Sequence, residues 1–197
     1  MYASQNFTEC NDIDPRFVAE VLQPYKDHCK YLKHAQVRRH PRETKIDSYI
    51  GCEPVYCVEG EFSIQQSCYI ADTGHFNSVE FNICYNQLAY VLVAHLLDNQ
   101  LLDALRDWNL ETYRRRQLAD CLIVRFNSVF RKSIDPTSFL GVLSIDKWSA
   151  RGSLVILSTT CSFFDEHGGR AHGDVTLAIL KRKLLAPNPA SNSRVAA

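Results

Sequence analysis

Hydrophobic and polar positions divide the chain into a helical first part and a strand-rich second part. From Tyr69 to Leu97 there is no Lys or Arg, and after Glu80 the run is almost continuously apolar. A helix that is apolar all round is a buried helix, so a long core helix near residues 78–97 is predicted. Its start carries a turn signal, Thr73-Gly74, then Asn77-Ser78-Val79-Glu80, which has the spacing of a capping box. Asn82 and Asn86 lie one turn apart, and Tyr90 continues their face.

The period then changes. Segments 118–130, 139–148, 153–164 and 171–180 read as strands. Val155, Leu157, Thr159, Cys161 and Phe163 share one face of the third, and Val175, Leu177 and Ile179 one face of the fourth. Turns fall at Asp135-Pro136, Ala150-Arg151-Gly152 and His167-Gly168-Gly169. His167 and His172 read as polar hairpin residues rather than a metal pair. Upstream, Asp14-Pro15 opens a short helix over 16–22. Segments 31–37 and 55–64 have strand character, and the polar, basic stretch 38–51 reads as a loop. Residues 101–108 read as a helical extension and 109–116 as a further helical turn.

One single-layer antiparallel sheet wrapped around a long helix follows, an α+β hot-dog arrangement. A flexible N-terminus (1–14) and a disordered tail (182–197) flank one domain over 15–181. Lys+Arg and Asp+Glu both number 22. This zero balance gives no general attraction to nucleic acid or anionic membrane. The first ten residues lack the apolar core of a signal peptide, so a cytoplasmic protein with reduced thiols is expected. None of the eight cysteines forms C-x-x-C, and no zinc pattern is found. Cys84 and Cys161 fall on core faces, while Cys52 and Cys57 are read as loop thiols rather than a pair.

Several runs carry a resemblance: VLQPY (21–25), CKYL (29–32), SCYIADTGHFNSVEF (67–81), CYNQLAY (84–90) and FFDEHGG (163–169). They resemble the FcoT family of hot-dog proteins over roughly residues 15–180. The resemblance implies four site positions: Tyr25, Tyr69, Asn77 and Asn86. It also implies one of two reactions. The first is conjugate addition of glycine to a (2E)-enoyl group on an acyl carrier protein, as in clusters making isonitrile lipopeptides or β-amino-acid units. The second is hydrolysis of a fatty acyl-CoA or acyl-carrier thioester.

Both reactions build negative charge on the thioester oxygen, which helix N–H groups, Asn and Tyr donors can stabilise. Glu80 or His75 is the candidate general base; Glu80 has a competing role in the capping box, and His75 as a turn residue. Arg125, Arg131 and Lys132 read either as receivers of a pantetheine phosphate or as exposed strand-end charges. No cofactor beyond the phosphopantetheine that carries the substrate is expected. A homo-dimer or higher oligomer is expected, because a single wrapped sheet leaves long edges.

Overall fold

The computed structural model of the protein describes residues 9–39, 56–71 and 74–181. The elements are β1 (Glu9–Asp12), α1 (Pro15–Val21), β2 (Leu32–Arg39), β3 (Tyr56–Phe62), α2 (Ser78–Asp98), α3 (Leu110–Asp120), β4 (Cys121–Lys132), β5 (Phe139–Arg151), β6 (Leu154–Phe164) and β7 (Arg170–Leu180). All strand pairs are antiparallel, in one seven-stranded sheet of order β1-β2-β3-β5-β6-β7-β4. The sheet curls around α2, and this is the expected hot-dog arrangement.

The 21 residues of α2 run one residue past the predicted range. Two-thirds of them are buried, which makes α2 the axis of the core rather than an amphipathic surface helix. Gln87 shows why a polar side chain can sit at zero exposure there. Its Nε2 donates to the Cys29 carbonyl at 2.6 Å, and its Oε1 accepts from Leu32 N–H at 2.9 Å. The amide thereby fastens the start of β2 to the helix, with both its oxygen and its nitrogen paired. The predicted faces of β6 and β7 both point to α2: Val155, Leu157, Thr159, Cys161, Phe163, Val175, Leu177 and Ile179 are all buried.

Seven of the expectations need correction. Residues 9–12, expected to fray, pair with β2 from Asp12 opposite Gln36 outward. Arg38, expected in a loop, extends β2 opposite Cys57, which is buried in the strand expected over 55–64, so that only its reading as a loop thiol falls. Residues 101–108 hold one 3-10 turn, Asp103–Leu105, because α2 stops at Asn99 and Gln100 takes the left-handed conformation at φ 53°. Helix α3 is a full 11 residues and takes 118–120 from the predicted strand. Its end is held by tertiary contacts that local periodicity does not show. Arg116 is buried against the Trp108 ring and pairs with Asp120 at 2.6 Å, and Gln117 donates to the Val21 carbonyl. Strand β4 runs on to Lys132 and β5 to Arg151. Residues 40–51 of the expected loop, Cys52, and the 182–197 tail lie outside the described residues.

Candidate active site

The loop that leaves β3 and the first turn of α2 bring Ser67, Tyr69, Asn77 and Glu80 together. Gly74 supplies a left-handed residue (φ 69°), the buried Phe76 anchors the chain, and Asn77 caps the helix. Asn77 Oδ1 accepts from Val79 N–H at 2.8 Å and Glu80 N–H at 3.5 Å. The Glu80 carboxylate reaches back to Asn77 N–H at 3.3 Å, which completes the capping box. Its other oxygen accepts from Ser67 Oγ at 3.1 Å. With its oxygen bound to the helix, Asn77 has its Nδ2 aimed outward, and this group donates to Tyr69 Oη at 2.8 Å. The Tyr69 oxygen is thus an acceptor toward Asn77, and its own O–H is available to donate elsewhere. Tyr69 is 46% exposed.

The capping box changes the set of donors at the helix start. Val79 and Glu80 N–H are engaged by Asn77, and Asn77 N–H by Glu80. Among the described residues Ser78 N–H has no partner. The donors left at this end are therefore Tyr69 O–H and Ser78 N–H rather than those of an open helix terminus.

Asn82 and Asn86 are only half-buried, so they line the less covered stripe of α2. Asn86 Nδ2 donates to Asn82 Oδ1 at 2.9 Å, leaving Asn86 Oδ1 as an acceptor and Asn82 Nδ2 as a donor. One turn further, the Tyr90 ring is tilted 52° against Tyr25, centroids 6.5 Å apart. Burial pushes the Tyr25 phenol well above its usual range, with the Tyr90 hydroxyl adding to the effect. Burial likewise pushes Tyr90 up to about 12. Both phenols are neutral donors at physiological pH. Asn77 and Asn86 are nine residues apart, about 13 Å along a helix of 1.5 Å rise. Of the four implied positions, Tyr69 and Asn77 are therefore bonded to each other at the helix start, while Asn86, bonded to Asn82, and Tyr25, packed on Tyr90, lie further along α2.

A cavity of about 580 Å³ opens at the helix start, lined by residues including His75, Asn77, Ser78, Phe130, Arg131 and Lys132. It brings His75 and two of the three basic candidates to the Tyr69–Asn77 end. Lys132 Nζ also donates to the His167 carbonyl at 2.5 Å. Arg125 does not line this cavity: it sits in mid-β4 opposite Thr176, about 20 Å up the strand from Arg131 at 3.3 Å per residue. Glu80, at 1% exposure with both oxygens engaged, is walled off from the cavity, whereas His75 is exposed on its rim. Cys84 is fully buried, and burial pushes its thiol well above the usual value, so it carries no nucleophilic thiolate. Ser67 and Gln87 are the polar residues that the spacing did not single out. For Ser67 the available signal was its place two residues before Tyr69, inside the same motif.

The family model described as the FcoT-like thioesterase domain matches residues 20–179. A "(2E)-enoyl-[ACP] glycyltransferase" of Streptomyces coeruleorubidus is 42% identical over 172 residues, covering 85% of this chain and 97% of that protein. A protein of the same name from Mycobacterium tuberculosis (strain ATCC 25618 / H37Rv) is 36% identical over 172 residues, covering 85% and 87%. Among solved structures, the dehydratase domain of RzxB from Pseudomonas fluorescens superposes with a TM-score of 0.51 at 12% identity, over 85% of this chain and 49% of that one.

Proposed function

The chain belongs to the FcoT-like thioesterase domain family, and on that premise we propose that it adds glycine across the double bond of a (2E)-enoyl thioester held on an acyl carrier protein. Relatives that align over most of their length carry the name of that activity. The observation that carries the reading is the Asn77–Tyr69 couple at the start of α2: Asn77 and Ser78 line the cavity, and the Tyr69 oxygen accepts from Asn77 Nδ2, which leaves its O–H to donate.

In the reaction, the glycine nitrogen bonds to the β-carbon of the enoyl group. The π electrons of the C=C bond shift toward the carbonyl, and an enolate oxygen forms. Tyr69 O–H and Ser78 N–H donate to that oxygen as its charge develops. The ammonium then loses a proton to a base, and the α-carbon gains one. The product is a β-(carboxymethylamino)acyl thioester. His75 is assigned as the base because it stands on the cavity rim, while Glu80 is buried and saturated with hydrogen bonds. The Asn82–Asn86 pair with Tyr25 and Tyr90 lines the stripe along which the substrate extends away from the cavity. Arg131 and Lys132 receive the pantetheine phosphate at the mouth of the cavity; Arg125, remote along β4, takes no part. The unit is a dimer or higher oligomer, joined through β4, which ends the sheet and exposes Leu122 and Val124.

Thioester hydrolysis is the second reading, favoured by the family's description. The same donors would serve a tetrahedral oxyanion, with a positioned water in place of glycine. Mass spectrometry of enoyl-carrier protein incubated with the enzyme decides the matter. Gain of one glycine on the acyl group, absent from a saturated acyl control, is expected. Thiol release from saturated acyl-CoA at a comparable rate, with no adduct at any glycine concentration, overturns glycine addition.

A further inference from the structure

Glu80 presents an unusual situation. It is a carboxylate at 1% exposure, and no Lys, Arg or His among the described residues forms an ion pair with it. A buried carboxylate must be hydrogen-bonded or it destabilises the fold. Two groups do this: Asn77 N–H on one oxygen and Ser67 Oγ–H on the other. The positive end of the α2 dipole adds to the stabilisation.

These contacts join two short segments at two points. Ser67 and Tyr69 lie two residues apart on the incoming loop, and Asn77 and Glu80 lie three apart on the helix start. Ser67 binds Glu80, and Tyr69 binds Asn77. Glu80 also binds the backbone of Asn77, which sets the N-cap whose amide aims at Tyr69. The chain of contacts Ser67–Glu80–Asn77–Tyr69 therefore closes on itself through the loop. Tyr69 is nearly half exposed, and Asn77 Nδ2 is its one hydrogen bond among the described residues. Its orientation depends on how firmly the loop is held at residue 67.

We propose that Ser67 and Glu80 are positioning residues for the reaction, a brace that sets the Tyr69 hydroxyl where the oxyanion forms. This rests on the assignment of Tyr69 as an oxyanion donor. The brace does not depend on whether glycine or water is the nucleophile, since both reactions place charge on the same oxygen. Removing the Ser67 hydroxyl strands one Glu80 oxygen without a donor. The helix cap then loosens, and the 67–69 segment loses one of its two side-chain hydrogen bonds to the start of α2.

The test is steady-state kinetics of Ser67→Ala, Ser67→Thr, Tyr69→Phe and the Ser67→Ala/Tyr69→Phe double variant, with melting curves for each. Ser67→Ala should lower kcat about 10- to 100-fold, the scale of a lost hydrogen bond to a charged group, and leave KM within about twofold because neither brace residue touches substrate. Ser67→Thr, which restores the hydroxyl, should recover most of the loss. In the Tyr69→Phe background, Ser67→Ala should cost less than about twofold more, since its effect runs through the phenol already removed. Losses that multiply in the double variant, or a Ser67→Ala kcat within about twofold of wild type, overturn the brace. Should Ser67→Ala fail to fold, Ser67→Cys carries the same comparison with a near-isosteric, weaker donor. If wild type only hydrolyses, glycine addition falls, and the brace is judged on the hydrolytic kcat by the same criteria.

Discussion

Tyr69→Phe separates catalysis from stability at this site. The substitution removes one oxygen from a ring that is 46% exposed, and that oxygen's hydrogen bond is to Asn77 Nδ2 at 2.8 Å. A hydrogen bond of this kind contributes about 0.5–1.5 kcal/mol to stability. In a domain of this size, that lowers Tm by only a few degrees, at about 2–4 °C per kcal/mol. Loss of a donor to a developing oxyanion costs about 10²–10³ in kcat, and Ser78 N–H remains to hold the effect near the lower end. Asn77→Ser provides the matched control. Serine caps a helix about as well as asparagine, so Tm should stay near wild type. It has no amide to orient the phenol, so kcat should fall toward that of Tyr69→Phe. The assay is initial-rate kinetics on enoyl-carrier protein at saturating glycine, with thermal melts of each variant. A Tyr69→Phe kcat within about threefold of wild type, with an intact melt, refutes the role given to the phenol.

Three further outcomes are expected. Asn86→Ala, at a half-buried position bonded to Asn82, should lower turnover more than stability; a collapsed melt with full activity in the folded fraction would make Asn86 structural. Val124→Lys, at a 57% exposed position on the terminal strand β4, should shift light scattering from an oligomer toward the 22.5 kDa of one chain, and a wild type already at that mass counts against the dimer. Asp146→Asn should raise Tm at pH 7: burial raises the Asp146 pKa despite donors from Thr160 and Ser144, so its charged form opposes folding above that raised value. Stability from relieving this charge is gained as pH falls through the native pKa, and the advantage of the variant should shrink over the same range.

How far the sequence is legible depends on whether the information is local. The α2 cap is four consecutive residues, and its pattern of Asn, then Glu three on, is visible without any partner. The inward faces of β6 and β7 alternate strictly, so one side of each strand could be read directly. By contrast, Cys10, Asn11 and Asp12 are polar and form a strand only because β2 offers an edge. Helix α3 has three consecutive arginines and little apolar periodicity. Its length comes from Trp108, Asp120 and the Val21 carbonyl, which lie elsewhere in the sequence or become neighbours only on folding. At the site, the family resemblance supplied Tyr25, Tyr69, Asn77 and Asn86. Spacing could not show that Glu80 would be sealed beneath Ser67.

The identity of the base can be tested through the proton that glycine must lose. At neutral pH glycine in solution is mostly the ammonium form, which has no lone pair for the β-carbon. An enzyme base is needed either to deprotonate it on binding or to take the proton after attack. His75 stands between the left-handed Gly74 and the buried Phe76, exposed on the cavity rim. Glu80 cannot serve without leaving Ser67 and Asn77. His75→Gln keeps a hydrogen-bonding side chain but cannot accept the proton. Its kcat/KM for glycine should fall about 10²–10⁴-fold at neutral pH, the usual range for a lost general base. The loss should shrink as pH rises, because solvent then delivers more free amine and the enzyme's own base matters less. Added imidazole should restore part of the rate at neutral pH for the same reason. A loss that is constant across pH and indifferent to imidazole would make His75 a turn residue that shapes the loop, and would leave a water chain at the cavity mouth as the proton acceptor.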